Sequence, residues 1–435
     1  MKAIILTGGR GTRLGRLTER LPKPLIKIGS KPILEHQILL LKRYGIDEIF
    51  ILSGYLGGKI ERFLGKNNFG VKIHHLIEDS PLGTAGAVKT LEGKIKDDFI
   101  VFSGDVMMDF DIRRLIRFHK KHSPAVGTII VHPNDHPFDS DLVEVNPNWQ
   151  VTKFLVRVEK TQPRDLLFKN LTNASVFLFR RTIFKYIKKD EKCDLEKDIF
   201  PKILANGEIL FAYNTPEYIK DMGSPERLKK VTQDYRSRKI QKLNIANKRK
   251  AIFLDRDGTI NFDVPFLTKL DDFRLFPFTA GAIKKINASE YLTIVITNQA
   301  TISMGKLTFE ELDKIHKKME TELGWQGAKI DGIYVCPHYP EGGWEGEVKE
   351  LKIKCSCRKP KTGLIKQAAR DFNIDLKKSF YIGDTTIDLE TAKNARLKFV
   401  GVRTAGRGNK YILKEDKGLL IEKNLLSAVN YILNT

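Results

Sequence analysis

Both halves of the chain open with an apolar, strand-like run that leads directly into a turn rich in Gly, Asp or Arg. Residues 2–7 lead into the turn at 8–14, and residues 251–254 lead into the turn at 255–259. After each opening, short apolar runs alternate with amphipathic stretches of helical period. This alternation predicts α/β domains with mainly parallel sheets, because parallel strands are joined by crossover helices. A chain of 435 residues exceeds one ordinary core, so we expect two such domains.

The predicted elements also indicate where chemistry is expected. In the first half the later apolar runs are 49–53, 72–77 and 99–103, and the helical patterns are 32–44, 83–91 and 111–122. In the second half the apolar runs are 291–297, 332–336, 379–382 and 398–402, and the helical patterns are 362–372 and 387–395. Binding sites of open parallel sheets gather at the carboxyl ends of strands. The turns to examine are therefore those at Gly8, Asp105, Asp255, Thr297 and Asp384.

The charge of the chain is strongly positive but unevenly distributed. There are 75 Lys and Arg residues against 53 Asp and Glu, a formal net charge of +22. Seven of the basic residues, and no acidic residue, fall within 236–250. No aromatic side chain interleaves with them, so a solvated linker is favoured over a nucleic-acid arm. We expect domains at residues 1–235 and 251–435, joined by this basic linker.

The composition is that of an ordinary globular protein. The chain is 41% hydrophobic and 29% charged, which excludes disordered, collagenous and disulfide-scaffold classes. No apolar run is long enough to span a membrane, and the six residues before the Gly-rich segment that begins at Thr7 are too short for a signal peptide. We therefore expect a cytoplasmic protein with no membrane partner and no nucleic-acid partner. Its oligomeric state is open, and a homo-oligomer is compatible with the sequence.

A glycine-rich turn after the first strand indicates phosphate binding. In the sequence Gly-Gly-Arg-Gly-Thr-Arg-Leu at 8–14, glycines let backbone N–H groups approach phosphate oxygens closely. Arg13, together with Lys23 in the following Pro-Lys-Pro segment, would neutralise a triphosphate and the charge that develops during displacement at phosphorus. No Gly-Lys-Ser/Thr follows, so the turn is not a Walker loop.

Over about residues 1–230 the chain resembles the sugar-1-phosphate nucleotidyltransferases. The resemblance is carried by several separated motifs, which are the loop at 8–14, Leu-Gly-Thr-Ala-Gly at 82–86, Gly-Asp at 104–105, Glu-Lys at 159–160, Asn-Ala at 173–174 and Asp-Met-Gly-Ser-Pro-Glu at 221–226. One position departs from the family pattern, since Ser175 stands where Gly is usual after Asn-Ala.

This resemblance implies a Rossmann-like fold and a direct transfer of a nucleotidyl group. Asp105 and Asp221 would hold Mg²⁺, and the sugar phosphate would attack the α-phosphorus and release pyrophosphate. Arg13 and Lys23 would act as the catalytic cations. The implied nucleotide-binding residues are Gly8, Gly9, Gly11, Thr12, Arg13, Lys23 and Gly83. The implied sugar- and phosphate-binding residues are Glu159, Lys160 and Asn173.

Four short motifs follow strands or a cysteine pair in the second half. They are Asp-Arg-Asp-Gly-Thr at 255–259, Thr-Asn-Gln at 297–299, Arg-Lys-Pro at 358–360 and Gly-Asp-Thr-Thr-Ile-Asp at 383–388. Two carboxylates two residues apart beyond a strand suit a nucleophile with a neighbouring acid or base, or a metal site. In this order the motifs resemble those of the haloacid dehalogenase-type phosphatases, over about residues 250–405.

The second resemblance implies a doubly wound parallel sheet and a covalent mechanism. Asp255 would attack phosphorus to form an aspartyl-phosphate, while Asp257 would protonate the leaving oxygen and then activate water. Thr297 and Lys359 would bind the transferring phosphoryl group. The Mg²⁺ ligands implied by the family are Asp255, the Asp257 carbonyl and Asp384, with Asp388 in support.

Three clustered cysteines and a histidine indicate a metal-bound loop. Cys336 and His338 are followed, after a long loop, by Cys355 and Cys357. Three thiolates and an imidazole form the ligand set of a closed structural Zn²⁺ site. The alternative is three buried cysteines beside a surface histidine, and the spacing in two close pairs favours the metal. Cys193 has no such neighbour.

The zinc loop resembles that of two phosphatase groups, acting on histidinol phosphate or on D-glycero-D-manno-heptose 1,7-bisphosphate. The long loop and the Cys-Xaa-Cys-Arg-Lys-Pro sequence favour the heptose enzymes, which implies that Arg358 contacts the retained phosphate and Asn298 lines the pocket. Residues 300–302 are Ala-Thr-Ile, where the heptose enzymes usually have Ser-Gly-Ile.

Taken together, the halves suggest a bifunctional enzyme of nucleotide-activated heptose synthesis for surface polysaccharide. The phosphatase would yield heptose 1-phosphate, which the first half would convert with GTP to GDP-D-glycero-α-D-manno-heptose. Three alternatives stay open. They are a first half without chemistry, a pairing of histidinol phosphate with a hexose 1-phosphate, and a nucleic-acid-binding protein.

Overall fold

The computed structural model describes residues 1–155, 166–406, 411–413 and 418–435. Contacts divide the chain into two compact units. Unit 1 comprises residues 1–132, 141–155 and 171–244. Unit 2 comprises residues 133–140, 166–170 and the described residues from 245 to the end. Two short segments of the first half of the sequence therefore pack within unit 2.

The described strands of unit 1 form one large mixed sheet and two small pairs of strands. Their bounds are β1 Lys2–Leu6, β2 Lys27–Ile28, β3 Lys31–Pro32, β4 Glu48–Ser53, β5 Lys72–Ile77, β6 Phe99–Ser103, β7 Val106–Asp109, β8 Gly127–His132, β9 Leu142–Val145, β10 Val151–Leu155, β11 Thr172–Phe179, β12 Leu210–Asn214 and β13 Tyr218–Asp221. The large sheet runs in the order β10-β9-β11-β6-β1-β4-β5, with β8 paired to β11 and β12. Strands β6, β1, β4 and β5 are parallel, and β11 joins them antiparallel.

The helices of unit 1 cover the sheet and bury its apolar faces. Their bounds are α1 Arg16–Arg20, α2 Ile33–Arg43, α3 Gly57–Gly65, α4 Gly83–Lys89, α5 Ile112–Lys121, α6 Phe200–Ala205, α7 Pro225–Arg236 and α8 Lys239–Lys242. Two of the core clusters involve the central strands of the large sheet, one containing Ile4, Phe50 and Phe99 and the other containing Ile5, Ile51 and Ile100. Neighbouring residues of one strand thus enter different cores, which explains the nearly continuous apolar runs of β1, β4 and β6.

Unit 2 contains a parallel sheet with helices between its strands. The strands are β14 Lys250–Leu254, β15 Tyr291–Asn298, β16 Gly332–Cys336, β17 Phe380–Gly383, β18 Lys398–Val402 and β19 Ile421–Glu422, in the order β16-β15-β14-β17-β18-β19. The helices are α9 Thr279–Ala288, α10 Ala300–Ser303, α11 Phe309–Trp325, α12 Gly363–Asp371, α13 Thr386–Ala395 and α14 Leu425–Asn434. The expectation of α/β architecture with mainly parallel sheets is confirmed.

The basic stretch 236–250 differs from the solvated linker that its charge suggests. Helix α8 lies within it, and Ile240, Ile245 and Arg249 are all at most 4% exposed. Arg249 Nε donates a 2.7 Å hydrogen bond to the Phe372 carbonyl. Buried apolar residues such as Ile240 and Ile245 lie between the basic residues and pack this stretch against the protein. The prediction of a solvated linker rested on charge alone and did not take them into account. Among the described residues, no helix is both long and apolar enough to cross a bilayer.

Candidate active sites

A large cavity opens in unit 1 where parallel strands β4, β1 and β6 end. Its volume is about 780 Å³. Five of the predicted nucleotide- and metal-binding residues line it, and they are Gly8, Gly9, Lys23, Gly83 and Asp105. Gly11, Thr12 and Arg13 are not among the lining residues, since Thr12–Leu14 forms a short 3₁₀ turn beside the cavity. The site lies where a parallel sheet collects its loops, as the sequence predicts.

Acidic side chains contribute to the same cavity in positions that the sequence analysis did not select. Glu78 and Asp79 follow β5 and line the cavity together with Asp194. Burial raises the pKa of Glu78 above its ordinary value, although a hydrogen bond from the Leu82 backbone opposes this effect. A Cβ atom built on Gly8 would lie 3.6 Å from Glu78 Oε2, so this carboxyl group adjoins the glycine-rich turn.

Lys23 and Asp105 form an ion pair in the lining of the cavity. Lys23 Nζ lies 3.0 Å from Asp105 Oδ2, and Ser103 Oγ donates a 2.9 Å hydrogen bond to Asp105 Oδ1. The Lys23 side chain is mostly buried, which strengthens its attraction to anions relative to an exposed lysine. A cation and a carboxylate are therefore already placed at the edge of the glycine-rich turn.

Asp221 is brought beside Asp105 by strand register. It lies opposite Val106 in the antiparallel pair β7–β13, and Met222 N donates a 3.1 Å hydrogen bond to the Asp105 carbonyl. Gly223 follows, and a Cβ there would lie 2.7 Å from an Arg13 guanidinium nitrogen and 2.9 Å from Asp221 Oδ1. A side chain at 223 would crowd both groups, so Arg13 and Asp221 both lie beside Gly223, close to the Asp105 backbone.

Arg227 is a further cation at this place. From the first turn of α7, its Nη1 lies 2.7 Å and 2.8 Å from the two carboxylate oxygens of Asp221. The helix begins after Ser224, whose Oγ accepts from the Arg227 backbone N–H. The Ser-Pro-Glu sequence at 224–226 indicates a helix start. The ion pair between Arg227 and Asp221, however, depends on the position that the fold gives to Asp221 at the end of β13.

The predicted sugar site is only partly described. Asn173 Nδ2 donates a 2.7 Å hydrogen bond to Glu196 Oε1, and Ser175 Oγ donates to the same oxygen at 3.0 Å. Ser175 has φ of 51°, a left-handed conformation that explains why glycine is usual at this position. Glu159 and Lys160 lie outside the described residues.

The second site lies at the carboxyl ends of β14, β15 and β17 in unit 2. Lys359 Nζ lies 2.8 Å from Asp255 Oδ1 and 2.7 Å from Asp388 Oδ1. Burial and the nearby Asp388 carboxylate raise the pKa of Asp255 to about 7, against the effect of Lys359. The negative charges of this site exceed what its lysine compensates, so an additional cation would be favourable.

Three carboxylates are close enough to share a cation. One oxygen from each of Asp255, Asp384 and Asp388 lies within 4.8 Å of the others. Asp384 Oδ2 is buried and has no hydrogen-bond partner in the part of the chain that the structure describes. A Cβ on Gly258, which has φ of 80°, would lie 2.2 Å from that oxygen, so glycine keeps this space free. Carboxylate oxygens are the ligands that Mg²⁺ prefers, and the site fits such an ion.

The Asp257 carboxylate is turned away from this cluster. Arg256 Nη2 donates to its two oxygens at 3.0 and 2.8 Å. Asn261 and Gln299 also donate to it, at 2.9 and 3.0 Å. Burial alone would raise the pKa of Asp257, but Arg256 and these hydrogen bonds outweigh it and lower the pKa below its ordinary value.

Seven of the predicted phosphatase residues line one cleft of about 260 Å³. They are Asp255, Asp257, Thr297, Asn298, Arg358, Lys359 and Asp384. Asn298 and Lys359 are joined by two hydrogen bonds, Lys359 N to Asn298 Oδ1 at 3.0 Å and Asn298 Nδ2 to the Lys359 carbonyl at 3.2 Å. Phe266 and Tyr411 line the same cleft while remaining largely exposed. Sequence spacing did not identify these two aromatic residues.

The four predicted zinc ligands form a compact cluster beside this cleft. Cys336 Sγ lies 3.6 Å from Cys355 Sγ and 3.1 Å from Cys357 Sγ, and His338 Nδ1 lies 3.1 Å from Cys357 Sγ. Thiolates bound tetrahedrally at about 2.3 Å from one Zn²⁺ would be about 3.7 Å apart, so the set is compatible with zinc. Arg358 N donates to Cys355 Sγ, which links the cluster to the segment 358–359 that lines the cleft.

Comparison with known proteins gives separate matches for the two halves. Residues 2–238 match the nucleotidyl transferase family, and residues 356–423 match the HAD-hydrolase-like family. The chain is 37% identical over 187 residues to the D-glycero-beta-D-manno-heptose-1,7-bisphosphate 7-phosphatase of Haemophilus ducreyi, covering 42% of this chain and 98% of that protein. It is 31% identical over 227 residues to the mannose-1-phosphate guanylyltransferase of Mycobacterium tuberculosis, covering 52% and 61% respectively.

The chain thus spans about three-fifths of the length of that guanylyltransferase. Among solved structures, the crystal structure of HddC from Yersinia pseudotuberculosis covers 54% of this chain and 99% of its own, with 25% identity and a TM-score of 0.47.

Proposed function

Because the chain belongs to the nucleotidyl transferase family through residues 2–238 and to the heptose-1,7-bisphosphate 7-phosphatases through its C-terminal half, we propose that it makes nucleotide-activated heptose in two steps. The 7-phosphate of D-glycero-D-manno-heptose 1,7-bisphosphate is removed first. GMP is then transferred from GTP to the remaining 1-phosphate, giving GDP-D-glycero-α-D-manno-heptose and pyrophosphate. The observation that carries the proposal is the pair of separate lysine–aspartate ion pairs, one between Lys23 and Asp105 and one between Lys359 and Asp255.

The phosphatase step uses Asp255 as nucleophile. Its carboxylate oxygen forms a bond to phosphorus as the bond to the sugar oxygen breaks, and Asp257 gives its proton to that oxygen. Asp257 then takes a proton from water, which hydrolyses the aspartyl-phosphate and releases phosphate. Lys359 and Thr297 hold the phosphoryl oxygens. Mg²⁺ bound by Asp255, the Asp257 carbonyl and Asp384 would offset the repulsion between two anions.

The transfer step needs no protein nucleophile. Lys23 and Arg13 would stabilise the charge that develops at the α-phosphorus, and the sugar phosphate itself attacks in line. Asp105 and Asp221 would hold Mg²⁺ against the triphosphate. In the structure they are paired with Lys23 and Arg227, which supply the positive charge that a metal would otherwise bring.

The choice of guanine is supported by the acidic side of the nucleotide cavity. Guanine presents a ring N–H and a 2-amino group, both donors, and a carboxylate such as Glu78 can accept from both. Similarity to guanylyltransferases favours the same base. We further propose a cytoplasmic enzyme that carries one structural Zn²⁺ on Cys336, His338, Cys355 and Cys357 and acts on small phosphorylated substrates, without nucleic-acid or membrane partners.

One experiment tests both activities together. D-glycero-D-manno-heptose 1,7-bisphosphate is offered with each nucleoside triphosphate in turn, and phosphate and pyrophosphate are measured separately. We expect phosphate release in every case and pyrophosphate release mainly with GTP. Asp255→Asn should abolish phosphate release by at least about 10³-fold, since the nucleophile is lost. Asp105→Asn should abolish only pyrophosphate release.

Controls distinguish the proposal from its alternatives. Supplying heptose 1-phosphate to the Asp255→Asn variant should restore pyrophosphate release. If either variant loses both products with heptose 1-phosphate present, the assignment of one reaction to each half is wrong. Faster turnover of histidinol phosphate than of the heptose bisphosphate would transfer the phosphatase assignment to that substrate. Absence of pyrophosphate with every sugar 1-phosphate would indicate a first half without chemistry.

A further inference from the structure

Arg256 stands in sequence between the two catalytic aspartates, and its side chain is fully buried. It is 0% exposed, although guanidinium groups are among the groups least often buried without compensation. Its Nε and Nη2 both donate to the Asp257 carboxylate, at 2.8 to 3.1 Å. The contact is the two-pronged geometry in which an arginine fixes both the position and the plane of a carboxylate.

The other side of the guanidinium is held by a histidine sixty residues away. Arg256 Nη1 lies 3.2 Å from His316 Nε2, on helix α11, and His316 is 7% exposed. An arginine can only donate, so Nε2 of His316 accepts and this imidazole is neutral with its proton on Nδ1. With Nη1 engaged in this way, the Nε and Nη2 edge is the one left to face Asp257.

We propose that Arg256 and His316 are positioning residues that orient the Asp257 carboxylate for proton transfer to the leaving oxygen. The inference rests on the proposed phosphatase function, in which Asp257 exchanges a proton in each half of the reaction. Asn261 and Gln299 hold the same carboxylate, but neither carries a charge. Removing His316 leaves the buried guanidinium free to turn about its last side-chain bonds, and Asp257 loses its defined orientation. Arg256 is fully buried, and His316 is not among the described residues that line the cleft, so both would act through Asp257 rather than on the substrate itself.

The test uses the full-length chain with His316→Leu and His316→Gln. Leucine fills the space without an acceptor, whereas glutamine can place an amide oxygen near the position of Nε2. The readout is kcat/KM for two phosphate monoesters, because this ratio reports the steps up to departure of the first leaving group. The heptose bisphosphate has an alcohol leaving group that needs a proton, whereas 4-nitrophenyl phosphate has a phenolate leaving group that does not.

We expect His316→Leu to lower kcat/KM for the heptose bisphosphate about 30-fold and for 4-nitrophenyl phosphate at most about threefold. His316→Gln should recover most of the loss. Met319→Val serves as the matched control, since Met319 is also buried on α11, one turn further on. It should lower the melting temperature while leaving the ratio between the two substrates unchanged.

Two results would overturn the inference. Equal losses on both substrates in His316→Leu would mean that the histidine only stabilises the fold. Unchanged kcat/KM on both would mean that Asp257 is oriented without it. Failure of the proposed function looks different, because the wild-type chain would then release no phosphate from either monoester.

Discussion

Glu196 is a carboxyl group whose ionisation is opposed by its surroundings. It accepts hydrogen bonds from Asn173 and Ser175, yet burial raises its pKa to about 7. The negative charge of Asp141 nearby adds to this effect. A carboxyl group whose pKa is raised by folding stabilises the folded state below its unfolded pKa. That contribution is lost as the pH rises through the folded value.

We therefore expect Glu196 to make unit 1 less stable at pH 8 than at pH 5.5. The pKa of Glu196 is near 4.5 in the unfolded chain and about 7 in the folded one. Between pH 5.5 and pH 8 this difference lowers the free energy of unfolding by about 2–3 kcal/mol. Glu196→Gln, which is neutral at every pH, should remove this part of the pH dependence. Denaturant unfolding at both pH values measures it, and the exposed Glu191→Gln is the matched control. An equal pH dependence in Glu196→Gln and wild type would contradict the prediction.

At the scale of single residues, the sequence indicated groups that belong to contiguous motifs. Asp255 and Asp384 were identifiable because each follows a strand within a short recognisable pattern, and Lys359 because its pattern follows a cysteine pair. Arg227 and His316 were not, because their roles depend on which residue the fold places opposite them. Arg256 lay inside a recognised motif, but its burial depends on a histidine that only the tertiary structure brings near.

At the scale of elements, the parallel strands of each sheet were the most predictable. The runs 99–103 and 398–402 coincide with β6 and β18, which have a neighbouring strand on both sides and leave nearly continuous apolar sequence. The runs 72–77 and 332–336 coincide with β5 and β16, which lie at the edges of their sheets and are mostly half-buried. Strands β8 to β12 were not identified. Strand β11 pairs antiparallel with β6 and β8, which lie far from it along the chain, and such pairing leaves no local signal.

Helix α11 was also missed, although its start had a signal. Thr308 and Glu311 form a capping box, in which each side chain bonds the other's backbone. The pattern Thr-x-x-Glu before an apolar-periodic stretch predicts a helix start. Because α11 carries His316, identifying it would have drawn attention to a buried histidine near the phosphatase site.

The loop between β16 and α12 is the element whose order we expect to depend on metal. It contains three of the four clustered ligands, while the fourth, Cys336, ends β16, and it leads directly into Arg358 and Lys359, which line the phosphatase cleft. Cys357→Ser should reduce bound zinc from about one per chain to a small fraction and lower phosphate release at least tenfold. Pyrophosphate release from supplied heptose 1-phosphate should be unchanged, since that site lies in unit 1.

Metal analysis and the two product assays measure this directly. The matched control is Cys193→Ser, which changes a cysteine outside the cluster and should alter neither zinc content nor phosphate release. Full zinc occupancy in Cys357→Ser would show that the thiolate is not a ligand. Zinc loss without loss of phosphatase activity would show that the loop holds its shape without metal.

At the scale of the whole molecule, the two units do not follow the order of the sequence. Residues 133–140 and 166–170 belong to unit 2, although both lie within the stretch that resembles a nucleotidyltransferase. Phe168 is 0% exposed, its backbone N–H donates to Thr321 Oγ1 at 3.0 Å, and Lys169 lies 2.7 Å from Asp313. Composition and motif order cannot reveal this, because they describe only the order of residues along the chain. Which unit a segment packs into depends on its contacts in three dimensions.

The assignment of Phe168 to unit 2 predicts which activity depends on it. Phe168→Ala removes a fully buried ring, which typically lowers the free energy of unfolding by about 3–5 kcal/mol. We expect phosphatase activity to be lost at a lower temperature than in wild type, while nucleotidyl transfer survives to its usual temperature. Phe184→Ala is the matched control, since Phe184 is 1% exposed and stacks on Phe99 within unit 1. It should show the opposite pattern, and both are measured as residual activities after heating. If Phe168→Ala instead sensitised only nucleotidyl transfer, the segment 166–170 would belong energetically to unit 1.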